Sequence, residues 1–204
     1  MNHSKNEIIK KMMEIGDGSV SRKDVIAKGI SPASFLRFVQ ANGLIKIRQG
    51  VYGKADGTVD TLFQLQKQYP KVVYSGATAL FILGLTDRFP EVIEFTIPKG
   101  YRVRKENLDE NVVYHIENNV NLFLLGNVFV ETMYGNEICC FSKEKMVVEM
   151  IRKRDDYDSE LFLKSIKTFL KGKDKNMEFL FRYSRMRKIE DKVYQILEAL
   201  NYEN

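Results

Sequence analysis

Apolar positions near the start of the chain recur with a helical period. Ile8, Ile9, Met12, Met13 and Ile15 predict a helix over Asn6 to Ile15 with these side chains inward. A second short helix follows over Ser21 to Ala27, with Ser21 as its cap. A third begins at Ser31, whose hydroxyl can accept from first-turn amides, and Pro32 suits the first helical position because no amide partner is needed there. Along it Phe35, Leu36, Phe38 and Val39 form a broad apolar face, whereas Ser34, Arg37 and Ala41 share a second stripe that is small except for the arginine. Gly43 stops this helix. Ile45 and Ile47 then alternate with Lys46 and Arg48, which predicts a strand burying both isoleucines and presenting both cations on one face, with Gln49-Gly50 as the turn of a hairpin. Three helices and a basic hairpin, in that order, make a winged helix-turn-helix.

Further along, the pattern predicts a helix from about Val59 to Tyr69, broken at Pro70, and a short strand at Val72-Val73-Tyr74. Ser75 caps a helix that Gly84 ends. The period then changes to two: Ile93, Phe95 and Ile97 alternate with Glu94 and Thr96. Strand-like runs follow at Val112 to Ile116, Val120 to Leu125, Val128 to Met133 and Glu137 to Phe141. Asn118-Asn119, Gly126-Asn127 and Gly135-Asn136 separate the last four, and such doublets suit tight turns, so an antiparallel meander is expected. From Ser142 the helical period returns in four segments, around Met146 to Ile151, Leu161 to Leu170, Phe179 to Tyr183 and Val193 to Leu200. The fold class is α+β: a winged helix over 1–55, a linker and helix over 56–70, and a domain over 71–204 with an antiparallel sheet and a helical C-terminal part.

Charge sharpens this division. A charged helix face is ordinarily only solvated, but residues 1–55 hold ten Lys/Arg against four Asp/Glu, a net of +6, whereas residues 56–140 hold seven against eleven, a net of −4. The positive field is concentrated where the third helix and the wing sit, which points to double-stranded DNA as a partner. At 204 residues and 44% hydrophobic content the chain can bury a substantial core. No apolar run is long enough to span a bilayer and no secretory leader is visible, so a cytoplasmic protein is expected, with no membrane partner.

Little in the chain suggests catalysis. Cys139 and Cys140 are adjacent in an apolar run, where strand neighbours face opposite ways, so neither a shared metal nor an ordinary disulfide fits them. With only His3 and His115 there is no zinc ligand set, and His115 reads as a sheet residue between Tyr114 and Ile116. No phosphate-cradling glycine loop occurs. Gly18-Ser19 and Asp156-Tyr157-Asp158 could suggest a nucleotidyltransferase, but they fall in different domains. Asp155, Asp156, Asp158 and Glu160 read instead as an acidic first turn that suits a helix dipole. No metal, cofactor or enzymatic activity is expected.

A larger pattern spans nearly the whole chain. The winged helix ending in Gly43-Leu44-Ile45 and Arg48-Gln49-Gly50-Val51-Tyr52 is followed by Ser75-Gly76-Ala77-Thr78-Ala79-Leu80, Gly84-Leu85-Thr86 and Phe95-Thr96-Ile97-Pro98-Lys99-Gly100. Ser142 to Arg152 completes the order, with Glu149 where many relatives would carry aspartate. In this order and spacing the chain resembles the AbiEi antitoxins of bacterial abortive-infection systems. The resemblance implies an N-terminal winged helix that binds inverted repeats in its own promoter and represses the operon. It also implies a C-terminal domain that counters a nucleotidyltransferase-like toxin without a stable complex, the type IV arrangement.

The residues expected to meet DNA are Arg37, Ser34 and Ser31 at the recognition helix, Lys46, Arg48 and Gln49 on the wing, and Ser21, Arg22 and Lys23 at the start of the second helix. Each has a plainer role open to it: Ser21 and Ser31 as caps, Lys23 as a solvated charge, Gln49 as a turn residue. For the C-terminal domain, an enzyme acting on nucleotides or on a modified toxin and a partner-binding surface carrying Arg182, Arg185, Arg187 and Lys188 stay open as alternatives.

Overall fold

The computed structural model describes residues 2–15, 18–48, 50–54, 60–104, 108 and 110–202. The chain is α+β and divides into two compact units, Met1–Gln68 with the short segments Val103–Glu110 and Met133–Asn136, and Tyr69–Arg102 with Asn111–Thr132 and Glu137–Asn204.

The first unit runs α1 (Asn2–Ile15), β1 (Ser19–Ser21), α2 (Arg22–Ala27), α3 (Pro32–Ala41), β2 (Ile45–Arg48), β3 (Val51–Gly53) and α4 (Thr61–Gln68). Its sheet has the order β1-β3-β2 and is antiparallel, so the helices and the hairpin have the arrangement of a winged helix. Ser31 caps α3 by accepting from the Ser34 amide at 3.3 Å, and Gly43 takes φ +61°, the left-handed region that a Cβ disfavours. Phe35 and Phe38 are buried against Val25, Ile30 and Leu44, and Tyr52 of the wing meets Phe35 edge to face at 5.3 Å.

Several expectations for this unit are corrected. Ile9 and Met13 are buried, but Ile8 and Ile15 are exposed, Ile15 to 79%. They lie seven residues apart on a face about 100° round from Ile9, so only one stripe meets the core. Leu36 is 42% exposed for the same reason, leaving Phe35, Phe38 and Val39 as the inward face of α3. On the wing the register shifts between Lys46 and Arg48, with Lys46 opposite Tyr52 and Arg48 opposite Val51. That irregularity breaks the simple alternation: Ile45 is 48% exposed, and Leu44 and Val51 supply the buried contacts. Ser19–Ser21 forms β1, a strand the pattern does not reveal, and Ser21 makes no side-chain cap bond to α2.

The second unit runs β4 (Val73–Tyr74), α5 (Gly76–Ile82), β5 (Ile93–Pro98), β6 (Val112–Glu117), α6 (Val120–Leu124), β7 (Asn127–Glu131), β8 (Glu137–Phe141), α7 (Lys143–Arg152), a 3-10 turn (Arg154–Asp156), α8 (Ser159–Lys171), α9 (Met177–Met186) and α10 (Glu190–Tyr202). The four C-terminal helices agree with the pattern; the meander does not. The sheet is mixed, in the order β6-β5-β4-β8-β7: β4 pairs with β5 and β7 with β8 antiparallel, while β5 with β6 and β4 with β8 run parallel. Glycine and asparagine doublets mark where strands stop but not which strands pair. Only Gly135-Asn136 lies in a hairpin; Asn118-Asn119 and Gly126-Asn127 flank α6. The run Val120 to Leu125, expected as a strand, is mostly helical because the Asn119 side chain accepts from the amides of Asn121 at 3.0 Å and Leu122 at 3.2 Å.

At the centre of this unit α7 is buried at every position from Glu144 to Ile151. It packs on α5, α8 and α9. Three charged residues therefore enter the interior with it, and each finds partners. Glu144 accepts from the Asn176 amide at 2.9 Å at the start of α9.

Candidate nucleic-acid interface and a polar cavity

In the first unit, the outward face of α3 carries Ala33, Leu36, Arg37 and Gln40, at the i, i+3, i+4, i+7 spacing of one helical face. Arg37 is exposed; its Nε donates to the Ala33 carbonyl at 3.4 Å, while its terminal nitrogens have no partner among the described residues. Ser31 and Ser34 largely engage each other, the Ser31 hydroxyl donating to the Ser34 hydroxyl at 3.0 Å. Arg22 and Lys23 are exposed at the start of α2, just after Ser21, and Lys46 is exposed on β2. The backbone of Arg48 belongs to β2, but its side chain and all of Gln49 lie outside the described residues. Gln40 and Leu36 are absent from the sequence-based set. Their signal was the spacing from Ala33 and Arg37; Leu36 was assigned inward on apolarity alone.

In the second unit, a cavity of about 410 Å³ opens among β5, β6, α5, α7, the 3-10 turn and the end of α9. Its inner wall is an ion network around the buried Glu149. Glu149 accepts through Oε2 from Arg152 Nε at 2.9 Å and Nη2 at 2.7 Å, and through Oε1 from the Tyr183 hydroxyl at 2.7 Å. Arg187 Nε lies 2.6 Å from the same Oε1 and donates to Tyr183 Oη at 3.1 Å; its Nη2 donates to Glu117 Oε2. Burial alone would raise the Glu149 pKa, but the guanidinium groups of Arg187 and Arg152 outweigh it and hold the carboxyl below its ordinary value. Arg187, which one of the alternatives placed on a partner-binding surface, is thus mostly buried and ion-paired. Arg185 pairs with Glu190 at 2.6 Å.

Beside this network, Lys145 is fully buried. Its Nζ donates to the carbonyls of Leu122 at 2.9 Å, Phe123 at 3.1 Å and Leu125 at 2.8 Å, and lies 3.2 Å from Asn127 Oδ1, with the Phe141 ring centroid 3.7 Å away. The lysine satisfies the orphan carbonyls at the end of α6, a charge that also suits a helix C-terminus. Burial pushes its pKa down to about 7, with Glu149 opposing.

The outer part of the cavity holds hydroxyls and rings. Ser75 and Thr96, 4% and 6% exposed, share a hydrogen bond of 2.8 Å between their hydroxyls. His115 lies 3.6 Å from Glu94 Oε2, and that carboxylate sits over Gly76. Gly76 has φ +58°, and a Cβ there would fall 1.7 Å from Glu94 Oε2 and 3.1 Å from Glu94 Cβ. Gly76→Ala is therefore expected to cost about 1–2 kcal/mol for the left-handed backbone, plus displacement of Glu94. Denaturant unfolding checks this; a change below about 0.5 kcal/mol, the size of an ordinary surface substitution, would contradict it.

Cys140 is buried and Cys139 half-buried on β8, as reduced thiols. Asp158 caps α8 by accepting from the Leu161 amide at 2.8 Å and Glu160 lies in its first turn, whereas Asp155 and Asp156, expected in the same acidic turn, belong to the preceding 3-10 turn. Among the described residues no helix is long and apolar enough to cross a membrane.

No protein-family model and no curated protein sequence matches the chain. Among solved structures, the crystal structure of the RV2827C protein from Mycobacterium tuberculosis is similar, with a TM-score of 0.63 at 14% identity, over 95% of this chain and 75% of that one. At that identity the likeness concerns the fold, an α+β architecture.

Proposed function

We propose that this chain is a cytoplasmic, DNA-binding autorepressor and the antitoxin of an AbiE-like type IV pair. In this reading the winged helix binds inverted repeats in its own promoter, and the C-terminal domain counters a nucleotidyltransferase-like toxin without a stable complex. The observation that carries the DNA-binding part is the exposed face of α3, with Arg37 and Gln40 beside small and apolar residues, on a unit whose first 55 residues carry a net charge of +6. Arginine can reach a guanine edge, glutamine an adenine edge and leucine a thymine methyl, while Arg22, Lys23, Lys46 and Arg48 supply phosphate contacts. The antitoxin part rests on the resemblance of motif order.

Fluorescence anisotropy with the DNA upstream of the gene tests the first part. If about four phosphates are neutralised per protein, log Kd should change with log salt with a slope near 4. Arg37→Ala with Arg48→Ala should weaken binding, while Gln40→Ala should reduce discrimination among sequences by about 1–3 kcal/mol. A slope near zero, or unchanged binding in the double variant, would overturn the DNA reading. Co-expression with the neighbouring toxin gene tests the second part: growth should be rescued with no co-purification.

An enzymatic C-terminal domain is the second reading, favoured by a cavity that holds Glu117, Glu149 and His115. Against it, both carboxylates are occupied. Glu149 is held by two arginines and a tyrosine, and Glu117 by Arg187 and the Asn119 amide at 2.9 Å, so neither is placed to act as a general base.

A further inference from the structure

We infer that the cavity of the C-terminal unit binds a small organic anion, a phosphate monoester carried on a flat ring of about nucleoside size. This goes beyond the DNA-binding and antitoxin reading and does not rest on it.

The carboxylate oxygens among the lining residues are used up: both of Glu149 and both of Glu117 already receive donors from within the protein. The donors are not. Ser75 and Thr96 bring two hydroxyl protons and share one hydrogen bond, so one proton in this buried pair is left over. The Tyr157 hydroxyl and Arg152 Nη1 have no hydrogen-bond partner among the described residues, and the Lys153 ammonium has only Asp156, at 3.9 Å. Burial and nearby carboxylates raise the Tyr157 pKa, so the phenol keeps its proton and remains a donor.

Surplus donors from four places on the wall, with three cations (Arg152, Lys153, Arg187) against two carboxylates among the lining residues and with Glu94 and Asp156 beside them, call for a ligand with several acceptor oxygens on one centre. A carboxylate offers two oxygens. A phosphate monoester offers three on one centre, which matches the donor set better. Much of the remaining lining, Tyr114, Phe141, Ile116 and Met146 beside His115, is aromatic or apolar and suits a flat ring. The volume of about 410 Å³ lies within the range of small-molecule sites, ~300–1,000 Å³, and exceeds what a bare inorganic ion would fill.

Isothermal titration of the full chain tests this, with nucleoside monophosphates, ribose 5-phosphate, inorganic phosphate, an uncharged nucleoside and benzoate. The nucleoside monophosphates should bind most tightly. Lys153→Glu should weaken them by about tenfold or more and Tyr157→Phe by a smaller factor, because charge-assisted bonds are the stronger ones. Arg37→Ala, on the other unit, should leave the affinity unchanged. Circular dichroism confirms that each variant folds; Lys153 is partly exposed, and Tyr157→Phe removes one oxygen only. No phosphate ester binding at about 10 mM, benzoate or the nucleoside binding as tightly as the ester, or an affinity that follows Arg37 rather than Lys153, would each overturn the proposal. Inorganic phosphate matching the esters would overturn the ring.

Discussion

Glu149→Ala should destabilise the protein by about 3–5 kcal/mol, the usual cost of removing one partner from a buried ion pair. At this chain length that corresponds to a fall in Tm of roughly 6–20 °C. The cost arises because Arg187 and Arg152 would keep their charges with no carboxylate between them, and the Tyr183 hydroxyl would lose its acceptor. Glu149→Ala with Arg187→Ala should cost less than the sum of the two single changes, because the second removes a charge that the first has stranded. The pH dependence has a definite sign. A carboxyl held below its ordinary value contributes stability above the ordinary carboxylate range, and loses it as pH falls through the lowered value. Chemical denaturation of wild type and variants checks all three statements; a single-variant loss below about 1 kcal/mol, as for a surface pair, would show that the network is not a unit.

Lys145→Met is the second large effect, at about 2–4 kcal/mol. Methionine recovers much of the packing, but three carbonyls at the end of α6 lose their donor, and an unpaired buried acceptor costs about 1–3 kcal/mol. The loss should be local first: the amides of Phe123 and Leu125, which bond to Asn119 and Asn121 carbonyls, should exchange faster with solvent. The variant should also alter the response to alkali. With a folded pKa of about 7 against an ordinary 10.5, the unfolded chain binds a proton here that the folded one does not. Stability from this site therefore rises between those limits, by up to about 1.4 kcal/mol per pH unit. The Cys140 thiol, pushed by burial to about 12 from 9.0, acts oppositely at higher pH, since the unfolded chain ionises it first. The difference between wild type and Lys145→Met isolates the lysine: its rise should be present in one and missing from the other. Parallel curves would contradict this role.

Legibility followed the range of the forces involved. The third helix was readable because its start and stop are written in neighbouring residues: the Ser31 hydroxyl reaches the Ser34 amide, and Gly43 adopts a positive φ. The three-residue β1 was not, since Ser19–Ser21 is too short to show a period and exists through its pairing with β3. Four apolar residues and Asn121 at Val120–Leu124 are too few to carry a period that separates helix from strand. Their helix depends on the Asn119 cap at one end and the Lys145 ammonium, distant in sequence, at the other.

Local order in the chain, then, was enough to determine the α+β class, the three helices and hairpin of the first unit, the four C-terminal helices and the concentration of positive charge in residues 1–55. Only the tertiary structure decided that β4 lies between β5 and β8, because strand partners are chosen by which faces can be buried together. It alone brought Glu117, Glu149 and Arg187 into one network and left the donors of Ser75, Thr96, Arg152, Lys153 and Tyr157 facing one cavity. Capping and periodicity act over a few residues of chain. The partners of a buried charge are selected in space, since any group that can relieve its desolvation will serve, however distant in sequence.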